Sequence, residues 1–203
     1  MRGKYRMAIR KHTSRNITAV ICLAAGVAAL QASTVLPMNL RELAGQAARV
    51  AVGRIDRIES FRDAASGHIH SRVEVAETRS LTGAPLGRLT FEMTGGRVGD
   101  LQQWIAGMPQ LAEGDEVVLF LAGSTQTPLG PTVGLWQGIF FVENERITDH
   151  RRRPIAAIRG DEIVRAPEPR PGAVAQGAPS LSLDQFLAQV RAFRQLPRAA
   201  GNR

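Results

Sequence analysis

After a polar Glu113-Gly114-Asp115 turn, the chain runs Val117-Val-Leu-Phe-Leu121, five apolar residues without a charge among them. Branched and aromatic side chains pack well on a pleated surface, so the run predicts a β-strand. Successive residues of a strand point to opposite faces. An apolar residue at every position therefore requires protein on both sides of the sheet. The rest of the chain has to supply those two layers.

Upstream, Asn39-Leu-Arg-Glu42 carries a helix start, with Asn39 as N-cap and Glu42 three positions later as in a capping box. Leu40, Leu43, Ala44 and Ala47 follow at helical spacing. Val50 to Glu59 predicts a strand, with Gly53 marking a bulge that shifts the apolar row to Ile55. His68 to Glu77 alternates, placing Ile69, Val73 and Val75 inward and His68, His70, Arg72 and Glu74 outward. Leu81-Thr-Gly83 ends it. Arg88 to Thr94 alternates Leu89, Phe91 and Met93, and the glycines at 95, 96 and 99 break it. A connection over Leu101 to Gln110 carries Trp104, Ile105 and Met108 into the opening strand. A Gly/Pro-bearing loop over 123–134 leads to a fifth strand, Leu135 to Val142, with a bend at Gly138 and a short return at Ile147.

Residues 165–180 are rich in Pro, Gly and Ala, a linker composition. Ser182 and Gln185 then form a capping-box pair for a helix over 181–195, with Phe186, Leu187, Val190 and Phe193 on one stripe. That helix either folds back on the domain or docks on a partner. Residues 196–203 form a disordered tail. The expected fold is mainly β: a five-stranded barrel over residues 34–164 with a helix at each end.

Net charge is +8, but Arg2, Lys4, Arg6, Arg10, Lys11 and Arg15 supply six of the 26 basic side chains. The remaining 20 stand against 18 acidic ones, which leaves no clustered field of the kind nucleic acid needs. Arg151-Arg-Arg153 reads as solvated loop charge. The six basic residues precede an apolar run, Ile17 to Leu30, and the small pair Ala32-Ser33, which together read as a signal peptide over residues 1–32. At about 14 residues the run is short of the roughly 20 that span a bilayer, and no other approaches that length. The expected destination is the periplasm or the medium. A retained N-terminal anchor is the alternative. The single cysteine, Cys22, lies inside the run, so the mature chain has no disulfide or thiolate chemistry.

The segment Ala48-Arg-Val-Ala-Val-Gly-Arg54 after a short helix, the Leu81-Thr-Gly83 turn and Gly114-Asp-Glu-Val-Val-Leu-Phe120 give an order that resembles the OB-like barrel of the tissue-inhibitor-of-metalloproteinases and netrin-module superfamily. The resemblance covers about Pro37 to Val142. The chain also resembles uncharacterised exported bacterial proteins with a Pro-Met-x-Leu opening, here Pro37 to Leu40, and a Gly-Gly-x-Val-Gly loop, here Gly95 to Gly99. The superfamily resemblance implies an OB-like barrel and, as one function, inhibition of a secreted metalloprotease. Family inhibitors use an N-terminal cysteine to reach the protease zinc, and the start near Ser33-Thr-Val35 has none.

No catalytic signature accompanies this pattern. The serines lack an elbow motif, the carboxylate pairs Asp115/Glu116 and Asp161/Glu162 sit in turns as solvated charge, and the mature histidines are His68, His70 and His150. His68 and His70 are spaced to share one strand face, as metal chelation requires, with Glu74 or Asp63 as a third ligand. Gly95 to Gly99 lacks the Lys-Ser/Thr of a phosphate loop. The loop with Arg97, Trp104 and Met108 is the first choice for a recognition surface, since function concentrates on loops held by a scaffold. Loop 123–134 and helix 182–194 are further contact surfaces. Trp104 and Trp136 read as core residues before ligand platforms. The expected function is an exported, non-catalytic binding module without cofactor, its partner an exported protein. An inhibitor or accessory factor of a secreted metalloprotease and a periplasmic metal-binding protein are the alternatives.

Overall fold

The computed structural model describes residues 36–123, 130–167 and 179–196. The expected signal peptide over 1–32, the tail from residue 197, half of loop 123–134 and most of the linker lie outside the described residues. Helix α1 spans Leu40–Gln46 and is followed by strands β1 (Arg49–Arg62), β2 (Ile69–Ser80) and β3 (Arg88–Thr94). Two short strands, β4 (Gly96–Val98) and β5 (Leu101–Gln103), precede β6 (Glu116–Leu121). Then come β7 (Ile139–Glu143), β8 (Arg146–Thr148), β9 (Ile155–Arg159), β10 (Glu162–Arg165) and helix α2 (Leu183–Gln195).

The main sheet is antiparallel, six-stranded, and ordered β3-β2-β1-β6-β7-β8. The run Val117–Leu121 lies near its middle, in β6. Val118 and Phe120 enter one apolar cluster with Val50, Val52, Phe140 and the two helices. Val117 and Leu119 enter a second cluster on the opposite face with Ile55, Val73, Val75, Phe91 and Phe141. Both layers that the sequence of β6 demands are present.

Helix α2 supplies the first layer. Leu183, Phe186, Leu187 and Val190 are buried, and Phe186 meets Phe140 and Phe120 at ring-centroid distances of 5.0 and 6.3 Å. Both helices carry complete capping boxes, Asn39 with Glu42 and Ser182 with Gln185, which satisfy first-turn amides. Arg194 in the last turn of α2 donates to the carbonyls of Ala44 and Ala47 at 2.7 and 2.8 Å, covering the open end of α1. Of the two fates the sequence leaves open for this helix, folding back is the one observed. Among the described residues no helix is long and apolar enough to cross a membrane.

β1 is 14 residues long and bends. Its register with β2 shifts between Val52 and Gly53 and again between Ile55 and Arg57. A Cβ on Gly53 would collide with the Ala76 carbonyl, so the bulge predicted there needs glycine for close approach of the neighbouring strand. Only Arg49 to Arg54 pairs with β6. Beyond the bend, β1 leaves β6 and continues with β2 alone, and the sheet opens on the second-cluster side. At its start Arg49 grips buried Glu77 through two hydrogen bonds of 2.9 and 2.7 Å and also donates to the carbonyls of Thr82 and Ala84, holding the turn after β2.

The strand count departs from the sequence expectation. The sheet has six strands, because β8 adds to the edge, and two further hairpins, β4–β5 and β9–β10, flank it. Leu135 to Gly138 forms a 3-10 turn instead of the first half of the fifth strand. The Thr132 hydroxyl donates to the Leu135 carbonyl at 2.6 Å, closing the chain there, and the strand starts at Ile139. Arg165, assigned to the linker, belongs to β10. Among the described residues no ladder joins β3 to β7 or β8, so the sheet is open between its edges.

Candidate functional site

The opened part of the sheet forms the floor of a cleft. Ile58 of β1, Val73 of β2 and Met93 of β3 line it from below, and the segment Trp104 to Leu111 crosses above. The β4–β5 hairpin closes one end as a flap. The cavity volume is about 270 Å³, just under the range of about 300–1,000 Å³ common for small-molecule sites.

The flap is fastened to the sheet through polar groups. The amide of Gly95 donates to the Ile69 carbonyl at 2.8 Å, and the Ile69 amide donates to the Gln103 side-chain oxygen at 2.8 Å. The Ser71 hydroxyl donates to the Gly95 carbonyl at 2.8 Å and shares a 2.8 Å hydrogen bond with Ser60. Gly96 lies on these two hydroxyls at φ 137°, where a Cβ would overlap both serine oxygens. Only glycine combines that φ with that approach.

Arg97, Trp104 and Met108, named from the sequence as one recognition surface, all line this cleft. Arg97 projects from β4 and is exposed, Met108 is half-buried, and Trp104 is 54% exposed. Trp104 is therefore no core residue, contrary to the sequence expectation, because the hairpin before it carries the chain out over the sheet rim. Trp136 is half-buried beside His150, with ring centroids 6.2 Å apart. Leu101 at the flap is also exposed, at 56%.

A second recess of about 420 Å³ adjoins the first and shares Trp104, Met108, Pro109 and Gln110 with it. Its far wall is His150, Arg151 and Arg152. Arg152 and Arg153 are not the solvated charges that the sequence suggested. Arg152 donates to both oxygens of Asp115 at 2.9 and 2.8 Å and to Glu143 at 2.9 Å, with its guanidinium 4.0 Å from the Phe141 ring centroid. Asp115 is accordingly a structural acceptor and not a free turn charge. Arg153 and Arg165 both bond the buried carboxylate of Asp149, at 2.9 and 2.8 Å.

Burial would raise the Asp149 carboxyl. The amides of Arg153 and Arg151 and the guanidinium groups of Arg153 and Arg165 outweigh it and hold the group below its ordinary range. For His150 burial dominates and pushes the imidazole down against the pull of Asp149, helped by Arg151, Arg165 and Arg153. Its Nε2 is buried without a hydrogen-bond partner among the described residues.

The pair His68 and His70 lies away from the cleft. His70 stacks on Phe61 at 6.0 Å on the outer face of β2, while the alternating Ser71 and Val73 face inward. His68 faces the Gln103 amide at 3.4 Å. Asp63, considered as a third ligand, accepts from the Ser66 hydroxyl and amide, both at 2.7 Å, which hold its carboxyl below the ordinary value. Among the described residues no group of three or more His, Cys, Asp or Glu side chains is placed to hold a metal ion.

The flap itself was missed from the sequence. Its signal is Gly99-Asp100, a two-residue hairpin turn between Val98 and Leu101. Gly160-Asp161 plays the same part between β9 and β10. Neither a protein-family model, nor a curated protein, nor a solved structure matches the chain.

Proposed function

We propose that the chain is an exported, non-catalytic binding module whose ligand seats in the cleft between the opened sheet and the β4–β5 flap. The observation that carries this reading is convergence. Arg97, Trp104 and Met108 meet Ile58, Val73 and Met93 around one cavity of about 270 Å³, with Trp104 exposed at its rim. Exposed large apolar side chains beside an apolar recess favour a ligand or partner. The lining supports binding over chemistry, because its two serine hydroxyls are engaged with each other and with Gly95, and among the described residues no histidine or carboxylate lines it. Export rests on the signal-like residues 1–32. The order β3-β2-β1-β6-β7 is read as an OB-like barrel left open at the cleft.

The test is a titration of the processed protein with N-phenyl-1-naphthylamine, a neutral fluorescent probe of apolar sites. Saturable binding that is weakened by Met108→Glu and by Trp104→Ala is the expected result. Absence of saturable binding by the folded protein, or equal binding by both variants, overturns the reading.

A further inference from the structure

Charge separates this cleft from a plain apolar groove. Among the described residues no Asp or Glu lines either recess, whereas Arg97 lines the first and Arg151 the second, with Trp104 and Met108 between them. Among the described residues neither guanidinium has an ion pair. Arg152 beside them is already committed to Asp115 and Glu143. The available positive charge thus flanks the apolar floor, uncompensated among the described residues. A guanidinium without a carboxylate partner offers charge-assisted hydrogen bonds to an incoming anion. Met93 on the floor and Met108 in the segment above it adapt their shape to an unbranched chain.

We infer that the cleft takes a small amphipathic carboxylate, its apolar chain on Met93 and Met108 against Trp104 and its carboxylate on Arg97. This rests on the cleft being a binding site at all. A neutral amphiphile would leave Arg97 unused, and a cationic one would meet two arginines and no counter-charge. The cavity of about 270 Å³ suits a short chain better than a long lipid tail.

The experiment displaces bound N-phenyl-1-naphthylamine with octanoate, octan-1-ol and octylamine, each below its aggregation concentration. The expected order is octanoate best and octylamine worst. Arg97→Gln weakens octanoate by about two- to fivefold more than it weakens octan-1-ol, the range of an exposed ion pair. Salt narrows the difference between octanoate and octan-1-ol, because exposed charges are screened. Equal displacement by all three overturns the carboxylate preference while the cleft remains a binding site. No displacement by any of them, with the probe still bound, overturns it too. If the probe itself does not bind, the site and the inference fall together. An octanoate preference that Arg97→Gln leaves intact removes Arg97 from the proposal and so overturns it.

Discussion

Ser60 of β1 and Ser71 of β2 share a hydrogen bond of 2.8 Å directly beneath Gly96. Through that pair the far end of the sheet carries the flap, since Ser71 also binds the Gly95 carbonyl and Ser60 accepts from the Arg97 amide at 3.3 Å. Position 97, and with it the one cation that lines the first recess among the described residues, is set by two hydroxyls on the sheet.

Gly96→Ala should therefore both lift the flap and destabilise the protein, by about 1–3 kcal/mol, the usual cost of overpacking compounded by a φ that disfavours a side chain. Gly45→Ala is the control. Gly45 lies in α1 with nothing within 4 Å of its added Cβ, so alanine there should stabilise by about 0.5–1 kcal/mol. Urea unfolding of both variants measures the contrast, and equal effects would contradict the placement of Gly96.

Stability should fall in two steps as pH is lowered. The folded pKa of His150 lies below its ordinary 6.5, so from about that value downward the unfolded chain takes up a proton that the native state resists. Stability from this group is thus present above pH 6.5 and lost as pH falls. Asp149 lies below its ordinary 3.8, so its contribution is full above that value and is lost in the more acidic range. His150→Gln should remove the first step. Asp149→Asn should diminish the second and cost roughly 1–3 kcal/mol at neutral pH, the range for losing charged hydrogen bonds to a buried acceptor. Unfolding free energies measured from pH 8 to pH 2 separate the two.

A charge at Leu119 should abolish soluble expression, whereas a charge change at Arg97 should not. Leu119 is 1% exposed in the second cluster, and Leu119→Asp would bury an unpaired carboxylate. Arg97→Asp alters only an exposed flap position. Soluble yield from parallel expression of the two variants is the measurement, and equal yields would contradict this division of core and surface.

Phe186→Ala should cost about 3–5 kcal/mol, as deletion of a buried aromatic does. Phe186 is fully buried against Phe120 and Phe140, so α2 is a layer of the fold and not an appendage. Thermal unfolding should remain a single transition shifted to lower temperature. Two separate transitions would show that the helix is an independent unit.

Much of the scaffold was legible from local signals. β3 was bounded correctly at Arg88–Thr94 because its alternation and its glycine stop agree. Both capping boxes and the Gly53 bulge were readable, since each depends on residues within a few positions or on one missing Cβ. The hairpins β4–β5 and β9–β10 were passed over although Gly99-Asp100 and Gly160-Asp161 mark them, because strands of three to five residues carry too little periodicity to draw attention to the turn. Arg152 and Arg153 were misread for a different reason. Sequence shows three adjacent charges, but Arg152 finds its counter-charges in Asp115 of the turn before β6 and Glu143 of β7, and Arg153 finds its own in Asp149, while Arg151 stays exposed as the sequence suggested.

Sequence alone determined that Val117–Leu121 needs cover on both faces, because an apolar residue at every strand position leaves no side for water. It also assembled Arg97, Trp104 and Met108 as one candidate surface, since they share a short glycine-bounded connection. What covers each face was decided only by the tertiary structure. Helix α2, distant in sequence, closes one side, and on the other β1 bends away from β6 and leaves a cleft. The physical reason is that burial is non-directional: the run specifies how much apolar surface must be hidden, and long-range packing decides what hides it.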